Sequence, residues 1–106
     1  MVAIPEFDRS LELTRNAARL VLVSHRVLIT EGNYLLLDDE PWASLAPLFD
    51  LTIRIDVEIE TVRERILERW ASHGLSPSAA RDRAESNDLP NAELTISRSR
   101  SADRNV

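Results

Sequence analysis

The stretch Val27-Leu28-Ile29-Thr30-Glu31-Gly32-Asn33-Tyr34-Leu35-Leu36-Leu37 decides how the rest of the chain is read. Its first four residues are apolar or β-branched, and they run straight into a carboxylate, a glycine and two polar side chains. A buried strand that stops on an acid is how a parallel sheet brings a charge to its carboxyl edge, where ligands of open α/β sheets bind. Where phosphate is transferred, a carboxylate at that edge handles magnesium or its water shell. A second fact restricts the first. The chain has no lysine and two glycines, so a phosphate-cradling G-x-x-x-x-G-K-[ST] loop is not among its residues.

Composition narrows the classes further. A chain of 106 residues makes one small domain or a piece of a larger one, and buries about 65% of its unfolded surface. With 43% hydrophobic and 29% charged residues it has the balance of a folded globular protein rather than a disordered one. No apolar run approaches a membrane span, and no basic-then-apolar leader opens the chain. The absence of cysteine removes disulfides and thiolate metal sites, and the expected location is cytoplasmic. A formal charge of -5 argues against general nucleic-acid binding. All 13 basic residues are arginine, which suits bidentate contacts to phosphate or carboxylate but equally reflects a compositional bias.

Outward from the deciding stretch, strands and helices alternate. Val2-Ala3-Ile4 reads as a short strand ending at Pro5, and Pro5 to Ser10 as a loop. Leu11 to Val23 is ambiguous between helix and strand, whereas Val27 to Thr30 is the clearest strand. Acids and Pro41 before Trp42 open a helix that runs to Leu48 or Phe49. Leu51 to Asp56 reads as a second buried strand ending on a carboxylate. Glu58 to Ser72 is the strongest helix, with Ile59, Val62, Ile66, Leu67 and Trp70 on one face and Gly74 placed to stop it. Ser76 and Pro77 start another helix reaching Ser86, which Asn87 to Asn91 interrupts or ends. Leu94 to Ile96 is helical or extended, and residues 97–106 read as an exposed tail. The expected architecture is a single α/β domain over residues 1–106, a parallel sheet flanked by helices through right-handed crossovers. Two or three good strands are few for a sheet buried on both faces, so sheet neighbours are expected from outside these residues.

Four segments in order carry a family likeness: P-E-F-D-R-S-L-E (5–12), V-L-I-T-E-G-N-Y-L-L-L (27–37), L-F-D-L-T-I-R-I-D-V (48–57) and R-E-R-I-L-E-R-W (63–70). Together they resemble the C-terminal portion of P-loop small-molecule kinases of the uridine kinase, phosphoribulokinase and bacterial pantothenate kinase group. The segments E-G-N-Y-L-L-L-D, H-G-L-S-P and S-N-D-L-P-N-A look most like the bacterial fructose-transport-associated or nucleoside/sugar kinase branch. The resemblance implies a partial three-layer P-loop fold lacking the Walker A strand-loop-helix, and ATP-dependent phosphoryl transfer to a hydroxyl of a sugar, nucleoside or pantothenate-like metabolite. The aspartate that deprotonates the acceptor in that family also has no counterpart here.

By the same resemblance, Glu31 is the catalytic and metal residue, meeting magnesium directly or through water. Gly32 lets the nucleotide approach the backbone, and Asn33 and Tyr34 line the acceptor side with Asp8 and Arg9. Arg65 and Arg69 lie four apart on one helix face and reach the phosphates of ATP. Plainer roles are open for each. Glu31 is also a strand-end carboxylate that could cap the next turn. Asp8 suits a turn bonded to its own backbone, with Arg9 as its ion-pair partner. Glu60, Glu64 and Glu68 offer Arg65 and Arg69 ordinary helix-surface pairs. Trp42 and Trp70 read as core, and His25 and His73 have no second ligand at zinc spacing. The partners expected are a small-molecule substrate and either a second copy or a complementary chain supplying the N-terminal half, with no nucleic acid and no membrane. The contrasting expectation is a non-catalytic module acting through such a partner.

Overall fold

Pro5 does not end the first strand. The computed structural model describes residues 1–106, and in it β1 runs Val2–Asp8 and pairs antiparallel with β2, Leu13–Val21. The loop expected from Pro5 to Ser10 is thus mostly strand, and the ambiguous stretch after it is strand rather than helix. The physical reason lies in the register. Ile4 faces Arg19 but Glu6 faces Arg15, so the ladder is irregular where Pro5 sits and its missing N–H is not needed. Ala17 absorbs the extra length of β2 at φ 52°, and Glu12 turns the hairpin at φ 50°. This hairpin belongs to the first of two compact units, Met1–Thr30 and Glu31–Val106, where the pattern reads as one domain.

Val27–Thr30 is not a strand. It has no ladder partner and no regular structure, and Val27, Leu28 and Ile29 are 78%, 67% and 87% exposed. Strand propensity needs a neighbour for the backbone and a layer over the face, and these residues have neither.

The second unit holds the parallel pairing. The strand expected over Leu51–Asp56 narrows to β3, Ile53–Arg54, which pairs with β4, Arg104–Asn105. The terminal segment is therefore tied by its backbone, although most of its side chains face solvent. Asp103 accepts from the Thr52 N–H at 2.8 Å and the Thr52 hydroxyl at 3.0 Å, while its own N–H donates to Thr52 Oγ1 at 3.0 Å. These bonds hold the Asp103 carboxyl below the usual carboxylate range, the Thr52 N–H being the largest cause.

Helices fill the rest. A 3-10 helix spans Trp42–Leu48, close to the helix expected there, and α1 spans Ile59–Ser72. Gly74, at φ 88°, closes α1 as the spacing predicts, because a left-handed residue after a helix favours glycine. Ser76 caps α2, Pro77–Arg83, by accepting from the Ala79 N–H at 3.3 Å. The chain does not stop at Asn87. A π-helical turn over Ala84–Asp88 joins α2 to α3, Leu89–Arg98, and the Leu89 N–H reaches back to the Ala84 carbonyl. Pro90 has no N–H and crowds the carbonyl four residues before it, so a widened turn ahead of it keeps the chain helical. Leu94 to Ile96 is accordingly helical.

The buried core is small: Leu37, Ala80, Ala84 and Leu89. Leu37 is held by backbone bonds on both sides, from Arg100 N–H to the Leu36 carbonyl at 2.8 Å and from Asp38 N–H to the Arg98 carbonyl at 2.9 Å. Leu89→Ala should lower unfolding free energy by about 3 kcal/mol, read by denaturant titration, because the site is a helix junction with little room to collapse. For Asp103 the folded pKa lies below its ordinary 3.8, so its contribution is complete above that value and is lost as pH falls through the folded pKa. Asp103→Asn should melt earlier than the parent at neutral pH and converge on it in acid, in thermal melts taken across that range.

Candidate functional site

The turn between β1 and β2 builds the first group of candidate residues. Asp8 Oδ1 accepts from the Ser10 hydroxyl at 2.6 Å, the Ser10 N–H at 3.0 Å and the Leu11 N–H at 3.2 Å. The plainer reading of Asp8, a turn carboxylate bonded to its own backbone, is thus met through Oδ1, and Oδ2 has no partner. The Ser10 hydroxyl, then the Leu11 N–H, hold its carboxyl below the usual range. Arg9 pairs with Glu12 at 3.3 Å rather than with Asp8, and its guanidinium lies 4.6 Å over the Phe7 ring. Across the ladder, Arg19 clamps Glu6 through two bonds of 3.0 Å. That pair holds the Glu6 carboxyl low and the Arg19 guanidinium high.

Beside it opens a shallow hollow of about 240 Å³ lined by Glu6, Phe7, Asp8, Arg9 and Arg15. Arg15 was not singled out from the sequence. It faces Glu6 in the ladder but makes no ion pair, because Arg19 occupies that carboxylate. An aromatic ring, a carboxylate oxygen without a partner and two guanidinium groups line this open hollow, which is smaller than the roughly 300 Å³ at which small-molecule pockets begin.

In the second unit, Glu31 and Gly32 are exposed and Asn33–Leu36 form a turn seated on α3. The Thr95 hydroxyl donates to the Asn33 carbonyl at 3.3 Å, so the backbone of Asn33 is anchored and its side chain is free. Tyr34 packs on Trp42 with ring centroids 5.6 Å apart. Glu31 makes no hydrogen bond and no ion pair, so it does not cap the turn. No group of three His, Asp or Glu side chains gathers anywhere to cage a metal. Magnesium keeps most of its waters and takes one or two carboxylates along with phosphate oxygens, so a single free carboxylate fits it.

The two helix arginines separate. Arg65 is exposed and unpaired, although Glu64 and Glu68 lie beside it in sequence. Arg63 takes the surface role instead, 3.6 Å from Glu60 and 3.9 Å from Glu85. Arg69 lies 3.7 Å from Asp88 and 5.1 Å over the Trp70 ring. Trp70 is half-buried rather than core. Its indole N–H donates to Asp88 Oδ2 at 2.6 Å, and the Arg83 guanidinium stacks on it at 4.6 Å with no carboxylate of its own. The π-helical turn brings Asp88 to this position, which no periodicity in the sequence signals. Arg65, Arg69 and Arg83 therefore present cations from two helices, one of them held by an acid.

No protein-family model matches the chain. It is 39% identical over 80 residues to the uncharacterised protein YggC of Escherichia coli, covering 76% of this chain and 34% of that one. It is 35% identical over 94 residues to the ATP-dependent kinase-like protein notR' of Aspergillus versicolor, covering 87% and 55%. Among solved structures, a candidate fructose transport system kinase from Silicibacter superposes with a TM-score of 0.93 at 38% identity, over 99% of this chain and 51% of that one. YFH7 of Saccharomyces cerevisiae, described as a candidate P-loop containing kinase with a circular permutation, superposes with a TM-score of 0.76 at 29% identity, over 98% and 34%. The chain thus spans between 34% and 55% of the length of these relatives.

Asp88→Ala leaves the Trp70 indole N–H without its acceptor in a half-buried place. It should cost about 2 kcal/mol of stability, measured by denaturant titration and reported directly by the Trp70 fluorescence.

Proposed function

We propose that this chain, which shares the sequence and fold of part of a P-loop kinase, forms the acceptor-binding and arginine-bearing side of an ATP-dependent small-molecule kinase. The observation that carries this reading is the superposition on the Silicibacter protein over 99% of the chain at 38% identity. The reaction moves the terminal phosphoryl group of ATP to a hydroxyl of a sugar, nucleoside or pantothenate-like metabolite, and the cytoplasm is its expected place.

The roles follow from charge and reach. Magnesium, when bound with ATP, draws charge from the transferring phosphoryl group. Glu31, free of internal partners, orients the water shell of that ion. Arg65 is available to phosphate oxygens at once. Arg69 is shared with Asp88, and reaching phosphate means giving up a contact that is 3.7 Å long and therefore weak. Within the first unit, Asp8 offers Oδ2 to an acceptor hydroxyl and Arg9 donates to an acceptor oxygen; within the second, Asn33 and Tyr34 offer their own polar side chains to substrate. Gly32 admits the nucleotide close to the backbone without needing a glycine conformation, since its φ is not in the left-handed region.

Such catalysis is positioning and electrostatics, so the loop gripping the β- and γ-phosphates supplies much of it. With no lysine, these 106 residues contain no such loop. Purified chain should therefore show no turnover, and magnesium-dependent ATP consumption by it would contradict this. A second reading, a non-catalytic module working through a partner chain, draws support from the extent of exposed apolar surface.

Calorimetric titration with Mg-ATP, ADP and free phosphate tests the proposal. Binding tighter than about 1 mM, roughly 4 kcal/mol, that weakens about tenfold in Arg65→Ala would support it. No heat from any of the three would leave the resemblance as ancestry and favour the second reading.

A further inference from the structure

Asp88 stands where an aspartate ordinarily caps a helix, and it caps nothing. It directly precedes α3, yet its side chain accepts from no backbone N–H there, because the π-helical turn carries the helix through it. Nor does it face solvent like the other paired acids. Each of those has 40% or more of its side chain exposed, against 14% for Asp88. A carboxylate withdrawn from water is costly unless it is well bonded. Its short bond is to another helix: Oδ2 accepts from the Trp70 indole N–H of α1 at 2.6 Å. Asn87 Nδ2 lies 3.5 Å from Oδ1, and Asn87 Oδ1 accepts from Asn91 Nδ2 at 3.3 Å. The S-N-D-L-P-N-A segment (86–92), which reads in the sequence as a helix interruption or end, is a polar row that finishes on an indole.

The indole in turn backs two cations. The Arg69 guanidinium lies 5.1 Å from the ring centroid and that of Arg83 4.6 Å, so one ring joins residues of α1 and α2. Arg69 approaches Asp88 only to 3.7 Å, beyond hydrogen-bond range, and Arg83 has no carboxylate. Both guanidiniums are thus held by an aromatic face with their donors unspent. Such a group loses less side-chain freedom when it meets an anion than one that swings in solvent. What the arrangement needs is a ring that does not turn, and the bond to Asp88 fixes its N–H edge.

We propose that Asp88 is a positioning residue: by fixing the Trp70 indole it sets the direction in which Arg69 and Arg83 present their donors to a polyphosphate, without touching that ligand itself. The identity of the ligand rests on the kinase reading; the restraint does not. An acid serving only to neutralise Arg69 would take that guanidinium at hydrogen-bond distance, and one serving only α3 would cap it. Asp88 does neither, and puts its shortest bond on the ring that both arginines share.

The test uses the full 106-residue chain, with sodium tripolyphosphate as the calorimetric probe and NMR relaxation of the arginine Nε–H groups as the second readout. In the ligand-free parent, Arg69 and Arg83 should be restrained on the fast timescale relative to exposed Arg81 of α2. Asp88→Ala and Trp70→Phe should free both guanidiniums and weaken tripolyphosphate at least about fivefold, roughly 1 kcal/mol. Asp88→Asn, whose amide carbonyl still accepts from the indole, should rescue both the restraint and the affinity. Arg81→Ala, which removes a cation from the same helix as Arg83, should bind like the parent. With Arg69→Ala and Arg83→Ala already in place, Asp88→Ala should weaken binding no further although it still lowers stability, which a purely structural role would not produce. The inference is overturned if Arg69 and Arg83 are as mobile as Arg81, or if tripolyphosphate gives no heat. It is equally overturned if folded Asp88→Ala and Trp70→Phe bind as tightly as the parent, or if Asp88→Asn is as weak as Asp88→Ala. Tripolyphosphate binding that follows the expected pattern, with no response to Mg-ATP, keeps the inference and removes the kinase reading. Mg-ATP binding indifferent to Asp88 does the reverse.

Discussion

The backbone of β3 needs hydrogen-bond partners on two edges, and within these residues it finds one of them, in β4. Much else in the second unit follows from that half-satisfied strand. β4 supplies the edge, and it arrives there because Asp103 and Thr52 exchange three hydrogen bonds just before the pairing begins. Towards α3 the strand has one link, the Arg54 guanidinium donating to the Ile96 carbonyl at 3.4 Å, and the carboxyl end of α3 is tied to Leu36–Asp38 by two backbone bonds. The turn carrying Asn33 and Tyr34 is thereby anchored to the same helix that Arg54 reaches. A parallel pair of two residues is too short to organise a core, which is why the buried residues collect instead around the junction of α2 and α3.

That junction also arranges charge. An ordinary α-helix through Pro90 would place its ring against a carbonyl, and the π-helical turn relieves this while setting Asp88 under the Trp70 indole. One carboxylate then orients a ring, holds Arg69 loosely and leaves Arg83 stacked on the other contact of the same indole. Arginine suits this arrangement because a planar guanidinium stacks and still has donors to offer. Of the three cations Arg65, Arg69 and Arg83, the first and last have no carboxylate partner, and only one of those two stands in the arginine pair read from α1.

Local signals were legible where their cause is local. The apolar spacing of α1, the stop at Gly74 and the cap at Ser76 depend on neighbours within one helical turn, and each lies where the pattern puts it. Signals that depend on a distant partner were not. Val27–Thr30 has strand composition without a strand beside it, and Pro5 tolerates a ladder only because the register slips opposite it. The candidate site divides in the same way. Glu31 and Arg65 were legible as charged residues in segments that resemble a family, but that both lack partners is a fact of placement. Arg9 choosing Glu12 over Asp8, and Arg15 losing Glu6 to Arg19, are outcomes of hairpin register.

By itself, then, the sequence determined the chemistry available: arginine as the sole strong cation, no thiol and no lysine for a phosphate loop. Composition and order are properties of the chain and survive any arrangement of it. Only the tertiary structure decided which charges are free, which edge of β3 is open and which apolar residues stay bare. Those depend on what lies alongside a residue in space, and hydrogen bonds and burial are settled there rather than along the backbone.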